Sequence, residues 1–336
     1  MKYQALVLVI AILFSTFMLR SFGTSGHGTS AHVPVGETIR TIDTYTVPTL
    51  SSQKNKFQLP VSQGLVRSLE QKDTVTSSVD TVAVAEKPSV NTVAPVCGVT
   101  AAAYLVKDIT QGSILISKNE NGLRPIASVT KLMTVVVARE LLPATATTTI
   151  TREIHDRADG YSSLEVGAVF TVQDLTRAAL VVSSNDAAYA LADMFGYDAF
   201  ITNMNEKAKS LGMSQTNFSE PSGLSYLNQS TASDIAILLA YIYKTHPEIL
   251  AVTREKNVSI VDQLHRRTFA LSNIDYFAGT KTFIGGKTGF INESGGNLVT
   301  LFNHDSSVWA VEVLGSDDRF ADIRSLLTCA QKTLKP

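Results

Sequence analysis

The 336-residue sequence predicts an α+β protein with an antiparallel sheet flanked by helices and a helical subdomain. Two observations lead to this fold class. The predicted elements follow one another as two strands, a block of helices, about five strands and a last helix, so that helices and strands are segregated along the chain. Most of the strands are joined by short turns, and hairpins of this kind build antiparallel sheets.

The folded region begins near residue 96 with two predicted strands, "VTAAAYLVKD" and "SILISKN", around a turn at "ITQG". An apolar run follows, which opens at Pro125, Ala127 and Ser128 and stops at Pro143. This run predicts a helix of about fifteen residues, because proline is tolerated at a helix start and disrupts a helix interior.

Threonines mark two of the other predicted helices. Thr171 opens "TVQDLTRAALVV" and Thr231 opens "TASDIAILLAYIYKTH", and each has an aspartate three residues later, as in a capping box. Between them, one helix is predicted to begin near Asp186 and another to run from about 198 to Gly212. After residue 255 the pattern predicts five strands and a closing helix: "NVSIV", "RTFALS", "KTFIGGKTGF", "GNLVTLFN", "SVWAVEVLG" and, over 318–333, the helix.

The N-terminal part of the chain has a different composition. Residues 5–19 carry no charge and are flanked by basic residues, which predicts that 1–20 is a signal peptide or an uncleaved signal anchor. Residues 21–95 are rich in Ser, Thr, Val and Gly and show no periodicity, so we expect a disordered linker. The folded domain is then 96–336, in the cell envelope on the extracytoplasmic face, and anchored to the cytoplasmic membrane by the N-terminal segment.

Charge and cysteine content narrow the possible partners. The formal net charge of −1 gives no reason to expect a nucleic-acid partner. The six histidines are scattered and no Cys-x-x-Cys occurs, so neither a metal site nor a cofactor is predicted. Cys97 and Cys329 stand at the two ends of the folded domain, where the first hairpin and the last helix need to meet. In an exported protein they can form a disulfide, and two separate buried thiols are the alternative.

The stretch "ASVTKLMT" places Ser128 three residues before Lys131 at a predicted helix start. Residues at this spacing share a helix face, and the N–H groups at a helix start favour developing negative charge. A desolvated lysine loses its proton more easily, so the pair can act as nucleophile and base. The alternative is an N-cap serine beside a surface lysine. The same spacing at Ser51 and Lys54 lies in the predicted linker.

Two further motifs carry polar side chains. In "VVSSNDAA", Ser183 and Asn185 fall in a predicted turn, where a hydroxyl can relay a proton and an amide can bind a substrate amide; a helix break with an N-cap is the alternative. In "GGKTGF", Lys287 supplies a compact charge and Thr288 a hydroxyl for a carboxylate. Gly289 leaves its strand without a side chain, so that a peptide can approach the strand edge. A glycine-rich hairpin corner is the alternative for this third motif.

In the order Ser-x-x-Lys, Ser-x-Asn and Lys-Thr-Gly, the three motifs are those of penicillin-binding proteins and serine β-lactamases. Over about residues 98–328 the chain resembles the serine-type D-alanyl-D-alanine carboxypeptidases, which are low-molecular-mass penicillin-binding proteins. The stretches "RPIASVTKLMT", "SSLEVG", "TNFSEPSGL" and "SDIAILLAYI" also carry this resemblance. It implies a fold like that of penicillin-binding proteins and β-lactamases. It also implies an exported enzyme that removes the terminal D-alanine of peptidoglycan stem peptides and that β-lactam antibiotics inhibit covalently.

The resemblance further implies roles for individual residues. Ser128 would be the acylated nucleophile, Lys131 the proton acceptor and Ser183 the proton relay. The residues implied in substrate binding are Asn185 at the substrate amide, Lys287 and Thr288 at the terminal carboxylate, and Phe290, whose N–H would form an oxyanion hole with that of Ser128. The role of Gly289 at the strand edge is predicted from its missing side chain alone.

Three other functions stay open at the level of sequence. A D,D-endopeptidase of the same family would use the same catalytic residues. A class A β-lactamase needs a Glu-x-x-x-Asn loop, and neither candidate fits, because Leu224 stands four residues after Glu220 and Val169 four after Glu165. A non-enzymatic wall-binding or β-lactam-sensing module would not need every motif position intact.

Overall fold

The computed structural model of the protein describes residues 97–159 and 164–333. The signal segment and the linker predicted over 1–95 lie outside the described residues. In the part of the chain that the structure describes, no single helix is long and apolar enough to cross a membrane. The pair Ala232–Thr245 and Pro247–Arg254 reaches that length and composition together, but its two helices meet at a bend of 100°.

Eleven strands and eight α-helices are present in the described residues. The strands are β1 (Ala103–Asp108), β2 (Ile114–Lys118), β3 (Arg124–Pro125), β4 (Thr147–Thr149), β5 (Val169–Thr171), β6 (Gln229–Ser230), β7 (Asn257–Val261), β8 (Thr268–Ser272), β9 (Phe283–Ile291), β10 (Gly295–His304) and β11 (Ser307–Ser316). The helices are α1 (Thr130–Leu141), α2 (Arg152–Arg157), α3 (Val172–Val181), α4 (Asn185–Phe195), α5 (Tyr197–Leu211), α6 (Ala232–Thr245), α7 (Pro247–Arg254) and α8 (Arg319–Thr333).

A five-stranded sheet in the order β2-β1-β11-β10-β9 forms the centre of the fold, and all its neighbours are antiparallel. The first hairpin, β1 and β2, thus lies beside the last strands of the chain, and β9 is an edge strand of the sheet. The α+β class with an antiparallel sheet and packed helices, as predicted from the sequence, is confirmed. Because β9 carries Lys287, Thr288 and Gly289, the Lys-Thr-Gly motif lies at an edge of the sheet.

Both faces of the five-stranded sheet are covered, so its central strands are buried along nearly their whole length. On one face, Leu105, Val299 and Leu314 join the large core that contains α1 and α3 to α6. On the other face, Val311 packs with Leu326 of α8 in a second, smaller core. The sheet therefore lies between the helical block and the closing helix.

The predicted helix signals at Thr171 and Thr231 are confirmed. The Thr171 hydroxyl accepts a hydrogen bond from the backbone N–H of Asp174 at 3.0 Å, and Thr231 accepts one from Asp234 at 3.1 Å. Helix α5 ends at Leu211 and is capped by Gly212, whose φ of 83° lies in the left-handed region that favours glycine. Local capping chemistry thus fixes the helix boundaries that the sequence predicted best.

Some elements differ from the sequence prediction. The apolar run after Pro125 begins with a 3-10 turn, Ala127–Val129, and becomes α-helical at Thr130. Within the described residues, strands β7 and β8 pair only with each other, so three of the five predicted C-terminal strands join the main sheet. Helices α2 and α7 and the small pairings of β3 with β6 and β4 with β5 were not predicted, because each contains too few residues for a period to be recognised.

A disulfide bond joins Cys97 to Cys329 on α8. The two Cα atoms lie 5.7 Å apart, within the distance that an unstrained bridge requires. Beside the bridge, Asp322 of α8 accepts hydrogen bonds from the backbone N–H groups of Thr100 and Ala101. The segment that leads into β1 is therefore tied to the last helix by a covalent bond and by a buried carboxylate.

Candidate active site

Ser128 lies half-buried in the 3-10 turn that leads into α1. The preceding residue, Ala127, has a left-handed backbone with φ 48°, which costs a non-glycine residue about 1–2 kcal/mol. A neighbouring loop packs against this turn so closely that a Cβ at Gly223 would overlap the carbonyl oxygen of Ala127. Strained backbone persists where its surroundings hold it, and it is concentrated at functional sites. The fold therefore holds Ser128 in one fixed position.

Lys131 is fully buried one turn beyond Ser128. Its Nζ donates hydrogen bonds to Ser128 Oγ at 3.0 Å, to Asn185 Oδ1 at 2.7 Å and to the Ser222 carbonyl oxygen at 2.6 Å. Burial lowers the pKa of Lys131 to about 7, and the negative charge of Glu220 opposes this shift. Near neutral pH a substantial fraction of Lys131 is therefore uncharged and can accept the proton of Ser128.

Ser183 lies in the short turn between α3 and α4, with a left-handed φ of 59°. Its Oγ accepts a hydrogen bond at 3.0 Å from Nζ of Lys287, which also donates to the carbonyl oxygen of Thr288 at 2.9 Å. Burial lowers the pKa of Lys287 well below its ordinary range, and the charges of Lys131 and Arg319 lower it further. A substrate carboxylate next to Nζ would favour the protonated form again.

Strand β9 passes very close to the nucleophile at Gly289. A Cβ at this position would lie 2.8 Å from the Ile126 carbonyl oxygen and 3.2 Å from the Ser128 nitrogen, so the approach requires glycine. From the side of α8, Arg319 Nη1 donates a hydrogen bond to the Gly289 carbonyl oxygen at 2.8 Å. The next side chain, Phe290, is 61% exposed. The third motif thus lies on an edge strand beside Ser128.

A cleft of about 780 Å³ opens over these groups. Ser128, Ser183, Asn185 and Phe290 line it, and Lys131 and Lys287 lie buried beneath it. All eight residues that the three motifs contributed are therefore brought together. The disulfide lies elsewhere, between the segment before β1 and α8. The remaining lining residues come from four segments of the chain: Asp159, Val182, Gly223 with Leu224, and Ile291 to Glu293.

Glu220 organises the loop that faces Lys131, and sequence reasoning missed this role. The buried carboxylate accepts hydrogen bonds from Ser222 N and Oγ, Gly223 N, Asn228 Nδ2 and Tyr189 Oη, at 2.5–3.2 Å. These bonds fold the loop so that the Ser222 carbonyl points at Lys131. The stretch "SEPSGL" contained the signal, but nothing in its spacing relates it to a lysine 91 residues away.

The site offers a hydroxyl beside a base, a second hydroxyl beside a buried lysine, and an open strand edge. Such a set fits acyl transfer through a serine ester. Across the ranges 97–159 and 164–333, no group of three or more His, Cys, Asp and Glu side chains is arranged to hold a metal ion.

A family model described as D-alanyl-D-alanine carboxypeptidase matches residues 89–317. The chain belongs to this family. It is a serine-type peptidase, a hydrolase, and the resemblance stated from its motifs is confirmed.

Relatives of the chain carry two different activities in their names. The D-alanyl-D-alanine endopeptidase of Escherichia coli is 33% identical over 239 residues, which cover 68% of this chain and 77% of that protein. The endopeptidase of Pseudomonas aeruginosa is 35% identical over 246 residues, covering 69% and 78%. The D-alanyl-D-alanine carboxypeptidase DacA of Haemophilus influenzae is 31% identical and covers 64% of this chain and 57% of that protein.

Solved structures share the fold. A D-alanyl-D-alanine carboxypeptidase from Mycobacterium tuberculosis is 25% identical, with a TM-score of 0.64, and the match covers 70% of this chain and 92% of that one. Penicillin-binding protein D2 from Listeria monocytogenes, in its cefotaxime-bound form, is 28% identical, with a TM-score of 0.62 and coverages of 69% and 98%. The sheet and helices described above are thus those of a penicillin-binding protein.

Proposed function

We propose that this peptidase removes the terminal D-alanine of peptidoglycan stem peptides through an ester on Ser128. The observation that carries the proposal is the position of Lys131, whose buried amine lies 3.0 Å from Ser128 Oγ and has a pKa lowered to about 7. A serine hydroxyl is a weak nucleophile until an adjacent base takes its proton. The family match supports the substrate class.

In the first half-reaction, Ser128 Oγ attacks the carbonyl carbon between the two D-alanines, and its proton passes to Lys131 Nζ. The backbone N–H groups of Ser128 and Phe290 stabilise the charge that develops on the carbonyl oxygen. The C–N bond then breaks, and the amine of the leaving D-alanine receives a proton from Lys131 through the Ser183 hydroxyl. The hydrogen bond from Lys287 holds that hydroxyl in place.

In the second half-reaction, water attacks the ester and Lys131 again takes the proton. This step releases the shortened peptide and restores Ser128. Glu220 takes no part in it, because its carboxylate is occupied by the five hydrogen bonds described above. That occupancy argues against a class A β-lactamase, the alternative that needs a glutamate to activate the water.

Substrate binding uses the edge of β9. An extended peptide can add antiparallel to an exposed strand edge, and the close approach at Gly289 brings its scissile amide to Ser128. In this arrangement Lys287 and the Thr288 hydroxyl engage the terminal carboxylate. A charged partner of this kind also restores the positive charge on Lys287 that burial disfavours.

Asn185 would bind the substrate through its amide nitrogen. Its Oδ1 accepts the hydrogen bond from Lys131, whereas its Nδ2 has a long contact of 3.5 Å to the Ala158 carbonyl oxygen. A substrate carbonyl in the cleft offers Nδ2 a better acceptor. The same side chain thus orients the base and binds the peptide.

β-Lactam antibiotics would acylate the same serine, because they present an acyl group and a carboxylate as the D-Ala-D-Ala terminus does. The cefotaxime-bound form of the Listeria relative supports this inference. The leaving nitrogen of an opened β-lactam stays tethered to the acyl group, so the ester should persist.

Cleavage of peptide crosslinks is the second candidate function. Two of the relatives described above, at 33% and 35% identity, are named D-alanyl-D-alanine endopeptidases. The acylation chemistry is the same in both cases, and the difference lies in the amine that leaves: a free D-alanine or the side-chain amine of a second stem peptide.

The location of the protein follows from its substrate. Peptidoglycan lies outside the cytoplasm, where a disulfide such as Cys97–Cys329 also persists, so we infer that the enzyme acts in the cell envelope. We propose further that 96–336 is the catalytic domain, that 21–95 is a linker and that residues 5–19 anchor it to the membrane. A protein limited to 96–336 should acylate as fast as the full chain, and only the full chain should sediment with membranes.

Muropeptide digestion tests the proposed function. Purified pentapeptide monomers and crosslinked dimers are incubated with the protein and with Ser128→Ala, and the products are identified by mass spectrometry. Loss of one alanine from the monomer supports the carboxypeptidase, whereas conversion of dimers to monomers supports the endopeptidase. If neither product forms, or if Ser128→Ala is equally active, the proposed function is wrong.

A further inference from the structure

We propose that Asp275, a buried carboxylate on the loop between β8 and β9, is a positioning residue that keeps Lys287 positively charged before the substrate binds. The inference rests on the proposed function, since Lys287 is the residue assigned to the terminal carboxylate of the peptide. It adds a residue that none of the three motifs contains and that neither half-reaction uses.

The loop that carries Asp275 is fastened to the helical block beside Lys287. Immediately before Asp275, the backbone N–H of Ile274 donates a hydrogen bond to the Val181 carbonyl oxygen at 3.2 Å. Val181 is the last residue of α3 and lies two residues before Ser183, whose Oγ accepts the hydrogen bond from Lys287. The fold therefore places Asp275 close to the pair formed by Ser183 and Lys287.

The other side of the loop reaches Arg319 on α8. Immediately after Asp275, the ring of Tyr276 stacks on that of Phe320, with 4.5 Å between the ring centroids. Arg319 precedes Phe320, and its guanidinium carbon lies 5.3 Å from the centre of the same ring. The same guanidinium donates the hydrogen bond to the Gly289 carbonyl oxygen. Asp275 thus lies between the lysine of the third motif and a second cation.

The carboxylate of Asp275 is buried and only half satisfied. The residue is 5% exposed, and its Oδ1 accepts a hydrogen bond from the backbone N–H of Phe277 at 2.9 Å. Its Oδ2 has no hydrogen-bond partner among the residues that the structure describes. A buried carboxylate with an unsatisfied oxygen destabilises a fold, so stability alone does not account for Asp275.

The charges around Lys287 give Asp275 a role. Burial lowers the pKa of Lys287 most, and the charges of Lys131 on α1 and Arg319 on α8 lower it further, whereas Asp275 raises it. Burial raises the pKa of Asp275 in turn, and the charges of Lys287 and Arg319 oppose that shift. Asp275 and Lys287 therefore each favour the charged form of the other.

Asp275 would also repel the carboxylate of the substrate, so the two effects have to be weighed. Ser183, which Lys287 contacts, lines the cleft in the described part of the chain, and Asp275 does not. Charge interactions weaken with distance, so the charge on Lys287 dominates where the peptide carboxylate binds. Loss of the Asp275 charge should therefore weaken binding of the peptide.

The test is the variant Asp275→Asn, which removes the charge and keeps an oxygen that can accept from Phe277. Release of D-alanine from Nα,Nε-diacetyl-L-Lys-D-Ala-D-Ala is measured between pH 5 and 9. Near neutral pH the variant should have a KM higher by roughly threefold to tenfold, with kcat nearly unchanged because the bound carboxylate keeps Lys287 protonated. The rise of KM with pH should begin at a lower pH in the variant. At acid pH the two proteins should converge, since Asp275 is then uncharged as well.

Three controls separate charge from structure. Asp317→Asn and Glu206→Gln remove exposed carboxylates, one two residues before Arg319 and one on α5 outside the cleft, and both should keep the KM of the unmodified protein. The methyl thioester of Nα,Nε-diacetyl-L-Lys-D-Ala has the same acyl group and no carboxylate, so Asp275→Asn should hydrolyse it at the unmodified rate. Titration with benzylpenicillin counts the functional sites in each sample.

The sign of the change in KM decides the outcome. An unchanged or lower KM in Asp275→Asn would overturn the inference, because the lysine then does not depend on this charge. An equal loss of activity toward the peptide and the thioester would also overturn it, because the effect would then lie in the nucleophile or the fold.

The same data separate this inference from the proposed function. If the unmodified protein releases D-alanine and Asp275→Asn has the same KM at every pH, the inference is wrong and the proposed function stands. If neither substrate is cleaved and benzylpenicillin leaves Ser128 unmodified, the proposed function fails, and the inference fails with it.

Discussion

At the scale of single residues, the chemistry depends on a lysine that the fold keeps away from water. Lys131 makes its three hydrogen bonds with an uncharged hydroxyl, an amide and a carbonyl, and the carboxylate of Glu220 acts on it only through its charge. Burial therefore dominates, and it moves the pKa of Lys131 from the ordinary lysine value into the neutral range. The rate at which Ser128 is acylated should therefore vary with pH as Lys131 titrates.

The pH dependence of acylation is the first prediction. Because the base must be neutral, the second-order rate constant with benzylpenicillin should rise with pH and level off above a midpoint near 7. Glu220→Gln removes a negative charge that raises the pKa of Lys131, so its midpoint should lie lower. Stopped-flow measurements from pH 5 to 9 give both midpoints. Glu206→Gln is the matched control, and an unmoved or higher midpoint in Glu220→Gln would contradict this account.

The second prediction concerns the carboxylate site. Lys287→Ala should lower kcat/KM for a D-Ala-D-Ala peptide by roughly 10- to 100-fold, which is the loss of about 1.5–3 kcal/mol from one charged hydrogen bond. Lys287→Arg should recover part of this loss, because a planar fork replaces a compact charge beside Ser183. Steady-state D-alanine release measures both variants. Full activity in Lys287→Arg would mean that the position requires charge alone.

The sequence alone predicted those site residues whose spacing or missing side chain indicates a chemical role. Ser128 and Lys131 could be paired because three residues separate them on one helical turn, and Gly289 could be assigned a close approach because it lacks a side chain. The contribution of Glu220 could not be predicted, since it depends on a loop that folds back onto Lys131 from far along the chain. Contacts of this kind appear once the tertiary structure is known.

At the scale of helices and strands, prediction succeeded where local signals were strong. Three boundaries were predicted at the observed places: the N-caps at Thr171 and Thr231, and the C-terminus of α5 at Gly212. The sequence pattern predicted β7 and β8 as strands but did not show that they form a sheet of their own. The alternation of apolar and polar residues identifies a strand without specifying which other strand it pairs with. Sheet membership is decided by packing against α3, which lies next to β7 and β8.

Strand β11 contains a buried acid that the mechanism does not use. Glu312 lies between Leu105 of β1 and Val299 of β10 and is fully buried. Neither of its carboxyl oxygens has a hydrogen-bond partner among the residues that the structure describes. Burial raises the pKa of Glu312 well above its ordinary value of 4.5, with the charge of Lys107 opposing. The folded protein therefore keeps this proton at pH values where the unfolded chain releases it.

The third prediction follows from that proton. A raised pKa in the folded state means that stability falls as pH rises above the unfolded value, by about 1.4 kcal/mol per pH unit from this group until the folded pKa is reached. Glu312→Gln should remove this part of the slope. Urea denaturation between pH 5 and 8 measures it, with Glu206→Gln as the exposed control. Equal slopes in Glu312→Gln and the unmodified protein would show that Glu312 is not the source.

At the scale of the whole molecule, the two ends of the described domain are fastened to each other. The disulfide between Cys97 and Cys329 closes a loop with a sequence separation of 232 residues. Next to it, Asp322 accepts hydrogen bonds from Thr100 and Ser316, which links the entry segment, the end of β11 and α8. The first hairpin is thereby held to the closing helix on one side of the sheet.

The fourth prediction is a loss of stability when that bridge is absent. Loop-closure entropy for so long a loop stabilises the fold by about 5 kcal/mol in the chain-entropy description, and native strain reduces the measured value. Cys329→Ser should therefore unfold at clearly lower urea than the oxidised protein. The reduced unmodified protein is the matched control and should unfold with the variant. Identical midpoints for the oxidised protein and Cys329→Ser would contradict the stabilising role.

The central claim is that Ser128 is an acylated nucleophile activated by Lys131, and intact-mass spectrometry after brief mixing with benzylpenicillin tests it most directly. The account predicts a mass increase equal to one penicillin, located on Ser128, that survives denaturation because deacylation is slow. Ser128→Ala should show no adduct, and neither should Lys131→Ala, whose folded state circular dichroism verifies. An adduct on another residue, an unchanged adduct in Lys131→Ala, or hydrolysed penicillin without an adduct would contradict the account.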